Sequence, residues 1–324
     1  MSQPSIVAGI DLGGTKIRVG LVSTEGKVML AETWPTPGEQ GPDAVIRCIA
    51  EGVQDLLQRI LMSRANVRAV GIGGPGPIND KTGIVSVMPN LPGWEQFPLR
   101  SRLEERLGLP VRVGNDGNLG ALGEHRFGAG VGSSDMVYVA LGTGVGGGII
   151  VNNQLLSGAT GAAGEIGHII LDPEGPVCNC GNRGCLEAYS SGRGLERRAE
   201  EVLRSGRATL MAEYASEEAV TINTRIIERA AREGDPAARE LLAQAARYLG
   251  FGVLSLVHIF NPEMVVFGGG LVALSDLLVE PAIVLVRKLA FDQHQQGLRF
   301  AYAGLGDDVV VLGAAALAME APRL

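Results

Sequence analysis

Apolar residues along this chain come in short blocks broken by glycine turns. Ile6-Val7-Ala8-Gly9-Ile10 reads as a buried strand, followed by the turn Asp11-Leu12-Gly13-Gly14-Thr15-Lys16 and a second strand over 17–22. Apolar positions 45, 46, 49, 53, 56, 57, 60 and 61 keep helical spacing, which predicts a helix over 43–65. Residues 67–72 read as a strand running into the loop Gly73-Gly74-Pro75-Gly76-Pro77. Residues 98–107 form a short helix stopped by Gly108. Val111-Arg112-Val113 is a strand pointing at Asn115-Asp116-Gly117-Asn118, where a helix starts that ends near Phe127-Gly128.

The opening pattern then returns. Met136–Leu141 is a strand, Gly142-Thr143-Gly144-Val145-Gly146-Gly147-Gly148 a turn, and 149–151 a second strand. Strand, glycine turn, strand thus occurs twice, which predicts two related α/β lobes rather than a short-period repeat. The C-terminal half is mostly helical. Asp235-Pro236 signals the start of a long helix, and a strand over 265–267 ends in Gly268-Gly269-Gly270.

Composition narrows the classes. The chain has 324 residues, 46% of them hydrophobic, enough for two cores. Its net charge of −7 argues against a nucleic-acid footprint, which needs clustered Lys and Arg. The N-terminus lacks a basic, then apolar, leader, and no uninterrupted apolar run of about 18 residues occurs. A cytoplasmic location without membrane spans is the expectation. The 47 glycines cluster beside strands, where the backbone must approach something closely.

Three constellations carry chemistry. The 11–16 turn offers glycine amides plus Thr15 and Lys16 to an anion, with Asp11 placed to hold Mg²⁺; a plain β-hairpin is the alternative. Gly142, Gly144 and Gly147 match a dinucleotide fingerprint, but that fingerprint must open a helix and here a strand follows. Two such turns suit a triphosphate held between lobes. Gly268–Gly270 either passes the adenosine or is a packed strand end. Asp116 is either a general base for a hydroxyl or a helix N-cap, with Asn115 or Asn118 as other cap candidates. His168 with Cys178, Cys180 and Cys185 matches a closed tetrahedral Zn²⁺ site, the alternative being buried free thiols. Glu165 and Glu187 flank that cluster, either as sugar-binding carboxylates or as solvated surface charge.

These motifs, in this order, resemble the ROK family of sugar kinases and sugar-responsive repressors, over nearly the whole chain. The most specific part is Glu165-Ile166-Gly167-His168 with Cys178-Asn179-Cys180-Gly181-x₂-Gly184-Cys185-x-Glu187. The resemblance implies a two-lobed α/β actin/hexokinase-like (ribonuclease H-like) fold with a duplicated lobe and an inserted zinc-binding loop at 168–187. The lobes would be 1–118, with a helix at about 305–324 returning to it, and 119–304. It further implies ATP with Mg²⁺, a structural zinc, and a homodimer or homotetramer. By position, Asp116 would be the catalytic base. Gly76, Asn90, Asn115, Glu165, His168 and Glu187 would bind the sugar, with His168 also a zinc ligand. Asp11, Gly13, Gly14, Thr15, Lys16, Gly142, Thr143, Gly144 and Gly269 would face ATP and Mg²⁺. Gly117 stands where alanine is more usual. Pro89-Asn90-Leu91-Pro92-Gly93-Trp94 is similar to the stretch in the family's glucokinases, which favours glucose phosphorylated at O6. Fructose, mannose, N-acetylglucosamine and N-acetylmannosamine remain alternatives.

Two rival classes follow. A sugar-responsive repressor of the same family needs a helix-turn-helix segment, and only five residues precede Ile6. A nucleotide-dependent chaperone or ATPase of the same architecture would not need the His–Cys cluster or its flanking glutamates.

Overall fold

The computed structural model describes residues 5–88 and 91–320, so Asn90 lies outside the described residues. The chain forms two compact units: Met1–Met136 with Gly148–Gly164 and Ala303–Leu324, and Val137–Gly147 with Glu165–Tyr302.

Unit 1 is built on β1 (Ile6–Leu12), β2 (Lys16–Ser23), β3 (Val28–Pro35), α1 (Pro42–Arg59), β4 (Val67–Gly74), the short pair β5 (Ile78–Asn79) and β6 (Ile84–Val85), α2 (Leu99–Leu107), β7 (Val111–Asn115) and α3 (Asp116–Phe127). Its sheet has the order β3-β2-β1-β4-β7. The first three strands are antiparallel neighbours, and β4 and β7 join in parallel. The apolar stripe of α1, including Val45, Ile49, Val53 and Leu56, is buried in one core with the strands' Ile and Val side chains.

The 43–65 helix expectation was too long: α1 ends at Arg59. Leu61 takes a left-handed φ of 56° and is almost fully exposed. The chain reverses there into a short turn held by Ser63 and Asn66, each bonding the other's backbone. Apolar spacing alone could not show that Leu61 faces water. Gly108 does stop α2, with a left-handed φ of 62°.

The remaining elements are β8 (Met136–Leu141), β9 (Val145–Val151), β10 (Gln154–Leu155), α4 (Leu186–Ser190), α5 (Gly192–Arg204), α6 (Leu210–Glu217), α7 (Thr224–Arg232), α8 (Pro236–Phe260), β11 (Met264–Gly268), α9 (Val279–Leu289), α10 (Asp292–Gln295), β12 (Arg299–Tyr302) and α11 (Val309–Met319). The second sheet has the order β10-β9-β8-β11-β12, the same sequence of neighbours as the first. β9 begins at Val145, four residues before the expected strand. Gly147 and Gly148 are strand residues whose missing side chains admit the Tyr138 carbonyl and the Asn118 backbone. Asp235 caps α8, accepting from the Ala238 amide at 2.7 Å. By length and composition α8 is apolar enough to cross a membrane, but half of its most apolar stretch is buried inside the protein, against α4, α5, α7 and α9.

α11 belongs to unit 1, where it packs on β1, β4 and α3. A Cβ at Gly9 or Gly71 would collide with the carbonyl of Val311 or Ala314, and one at Gly313 with that of Leu119. Much of the glycine excess therefore admits the chain's own backbone. The expected lobe boundary at 118 falls inside α3, which lies whole in unit 1 and packs on α11.

Fully buried Glu124 on α3 accepts three backbone amides: Ala129 at 2.8 Å, Gly304 at 3.1 Å and Leu305 at 3.0 Å. It ties the segments leaving and re-entering unit 1. Glu124→Ala strands these donors and is expected to cost about 3–5 kcal/mol of stability in denaturant unfolding. An unchanged midpoint would contradict this account.

Candidate functional site

Both glycine turns begin as hairpins. In unit 1, Leu12 and Ile17 pair across the first turn, and the Gly13 amide closes it on the Lys16 carbonyl at 2.9 Å. The amide of Gly13 is thus bonded within the turn. The Thr15 and Lys16 side chains are exposed. Thr36, which the sequence reading missed, braces the turn from the end of β3. Its hydroxyl donates to the Gly13 carbonyl at 2.8 Å and its amide to the Thr15 carbonyl at 2.9 Å. No sequence motif marks it; the β2–β3 pairing brings it there.

Asp11 sits at the end of β1. Burial, then the negative charge of Asp116, pushes its carboxyl up to about 6, against the pull of Lys16 and Arg18. The two acids are therefore close enough to feel each other within unit 1. In the folded chain Asp11 keeps its proton to about pH 6, whereas the unfolded chain releases it near 3.8. Its contribution to stability is thus most favourable below 3.8 and is lost as pH rises through 6. Mg²⁺ binding by the nucleotide-free protein is expected to weaken below about pH 6 and to lose that inflection in Asp11→Asn, measured by titration calorimetry. A wild-type profile flat through this range would refute the assignment of Asp11 to the cation.

At the start of α3 the cap and the acid are separate residues. Asn115 is the N-cap, its side-chain oxygen accepting from the Asn118 amide at 3.2 Å. Its Nδ2 donates to the Gly76 carbonyl at 3.4 Å, tying the loop after β4 to the helix; Gly76 has a φ of 87°. Asp116 is the first helical residue, and its Oδ1 accepts from the Gly117 amide at 2.8 Å. Asn118 is buried and holds the Ala163 carbonyl at 3.1 Å, a packing position rather than the cap.

In unit 2, the Gly142 amide closes the second turn on the Gly144 carbonyl at 2.9 Å, so it too is committed. The carbonyls of Gly142 and Thr143 accept from Gly192 and Arg193 at the start of α5. Glu187, on α4, reaches this turn: its Oε2 accepts from the Val145 amide at 3.1 Å. A Cβ at Gly144 would lie 2.5 Å from that oxygen, so a side chain there would displace the carboxylate from its present position. Gly269 has a φ of 85° and lies against the Leu141 carbonyl, which supports the packed strand end.

His168, Cys178, Cys180 and Cys185 bring their donor atoms within 4.8 Å of one another. Cys180 and Cys185 sulfurs are 3.7 Å apart, and Cys178 Sγ is 3.8 Å from His168 Nδ1. A tetrahedral zinc with about 2.3 Å bonds to sulfur separates its sulfurs by about 3.8 Å, so the donor set fits that ion in type, number and spacing. Glu187 Oε1 lies 3.5 Å from Cys178 Sγ, placing this carboxylate between the cluster and the second turn. Glu165 is exposed; its carbonyl accepts from the His168 amide at 3.1 Å.

A glucokinase of Thermotoga maritima is 37% identical, with 96% of each chain covered. A xylose repressor of Caldicellulosiruptor bescii is 34% identical over 97% of this chain and 78% of its own length. The structure of a ROK family glucokinase from Streptomyces griseus in complex with glucose and AMPPNP superposes with a TM-score of 0.80 at 36% identity, covering 98% of this chain and all of that one. The ROK family profile matches residues 7–321, and the chain belongs to the ROK family.

Proposed function

We propose that this protein is an ATP-dependent sugar kinase whose preferred substrate is glucose, phosphorylated at O6. The observation that carries the reading is at the start of α3: Asn115 is the helix cap, and the Asp116 carboxylate, which accepts from the Gly117 amide, lies close enough to Asp11 for their charges to interact. Similarity to glucokinases, one of them holding glucose and an ATP analogue, supports the substrate and the donor.

In this reading Asp116 accepts the proton of the attacking hydroxyl. By position, Gly76, Asn90, Asn115, Glu165, His168 and Glu187 would hold the sugar's other hydroxyls. Thr15, Lys16 and the amides of Gly14, Thr143 and Gly144 receive phosphate oxygens, and Asp11 holds the cation. Mg·ATP, when bound, supplies the phosphoryl group and spreads its charge. Zinc in the His–Cys₃ group is structural, since four protein donors leave no open position. His168 then presents Nε2 to the sugar, because Nδ1 faces the cysteines. We further propose a cytoplasmic homodimer or homotetramer, without nucleic-acid or membrane partners.

A coupled ADP-release assay over glucose, mannose, fructose, N-acetylglucosamine and N-acetylmannosamine tests this. The expected result is sugar-dependent release with the highest kcat/KM for glucose. A higher value for another sugar overturns the substrate, and release indifferent to sugar indicates an ATPase. The repressor relative gives a second reading, sugar-responsive DNA binding. Retarded migration of operator DNA with no ADP release would favour it.

A further inference from the structure

Between His168 and Glu187 the chain has almost no regular structure, only the isolated bridges Ile170↔Cys185 and Val177↔Arg183. A metal bound to the His–Cys₃ group would tether this segment to itself, but a metal does not fix its orientation relative to the helices behind it. Side chains at two places do: Arg197 on α5 donates to the Val177 carbonyl and, at 2.6 Å, to Asn179 Oδ1, and Asp172 is held from two other helices. Asp172 uses both carboxylate oxygens: Oδ1 accepts from the Glu174 amide at 3.1 Å, and Oδ2 accepts from the hydroxyls of Tyr189 at 2.9 Å and Tyr248 at 3.0 Å. Its carbonyl accepts from the Gly175 amide at 2.9 Å, and Gly184, with a φ of 68°, lies so close to that carbonyl that no Cβ fits.

The two tyrosines come from different helices. Tyr189 is on α4, two residues after Glu187, and Tyr248 is on α8. Their rings stack with centroids 3.5 Å apart and planes 11° from parallel. Arg198, itself buried, fixes the Tyr189 carbonyl with a 3.1 Å bond. A single carboxylate thus joins the metal-binding loop, the helix that carries Glu187, and the longest core helix of unit 2. Glu187 in turn spans the cluster and the second glycine turn.

We propose that Asp172, gripped by Tyr189 and Tyr248, is a positioning residue that sets the orientation of Glu187 and of the metal-binding loop toward the sugar. It touches no reacting atom; it acts through α4. The network is charge-assisted and partly screened from water, the setting in which supporting hydrogen bonds hold a binding group to a fraction of an ångström. This inference rests on the kinase reading for its kinetic readout, and on unit 2 alone for its structural one.

The test uses the whole metal-loaded protein with Tyr248→Phe, which deletes one hydroxyl and keeps the ring stack, alongside Asp172→Ala and Asp172→Asn. Expected for Tyr248→Phe are a rise of roughly tenfold in the sugar KM, with kcat, the ATP KM, metal content and Tm near wild type. Asp172→Ala is expected to go further, and Asp172→Asn, which keeps an oxygen for the hydroxyls, to fall between. Amide hydrogen exchange should rise in 169–188 and nowhere else. An unchanged sugar KM with unchanged exchange in 169–188 overturns the proposal. So does a change in sugar and ATP KM together that follows a loss of Tm, which marks general stabilisation only. If the wild type phosphorylates no sugar, the kinase reading falls, and exchange in 169–188 of Tyr248→Phe still decides the positioning role.

Discussion

Asp116→Asn is expected to keep sugar affinity within a few-fold of wild type and to lose about 10²- to 10⁴-fold in kcat, equivalent to about 3–5 kcal/mol of barrier. The substitution isolates the proton acceptor. Asn keeps an oxygen where Asp116 Oδ1 accepts the Gly117 amide, and the helix cap is supplied by Asn115. The start of α3 therefore persists, and Tm should move little. Steady-state kinetics with calorimetric sugar binding checks both halves. Near-normal kcat would remove Asp116 from the base role. Loss of sugar binding with a fallen Tm would show that the carboxylate is structural after all.

The second large effect concerns the His–Cys₃ group. Cys180→Ala is the informative variant because Cys180 is exposed, so removing its sulfur leaves no cavity, whereas Cys178 and Cys185 are buried and their loss would mix ligand removal with packing. The expected results are about one zinc per wild-type chain, little or none in the variant, and a sugar KM raised roughly tenfold or more. Without metal, burial pushes the Cys178 thiol up to about 12. Zinc must displace that proton, so uptake is expected to release protons and to weaken as pH falls. Elemental analysis and a pH indicator in weak buffer measure these. A metal-free protein with full sugar affinity would refute the role.

Much of the site was legible because its chemistry sits in short local patterns. The Cys178-x-Cys180-x₄-Cys185 spacing can close on one ion whatever the distant fold, and His168 lies only ten residues before Cys178. The helix start at Asn115-Asp116 was legible as a start, but which residue caps it was not. That depends on a backbone angle: Asn115 is extended and Asp116 is already helical. The glycine turns were legible as turns, yet the commitment of the Gly13 and Gly142 amides to closing them depends on hairpin register. Asp172, Tyr189 and Tyr248 carried no motif, since Tyr248 lies 76 residues from its partner Asp172.

By itself the sequence determined the alternation of strands and helices, the duplication, the His–Cys₃ group that could hold a metal and the acid at the head of α3. Each follows from contacts between near neighbours in the chain. The tertiary structure decided what the excess glycine is for, with α11 pressed backbone to backbone on β1 and β4, and it decided which partners the carboxylates face. Glu124 holds the amides of Gly304 and Leu305, and Glu187 that of Val145. A glycine needed by a distant helix looks the same in sequence as one needed by a ligand. A carboxylate's role is set by the donors around it, and those arrive only when the chain has folded.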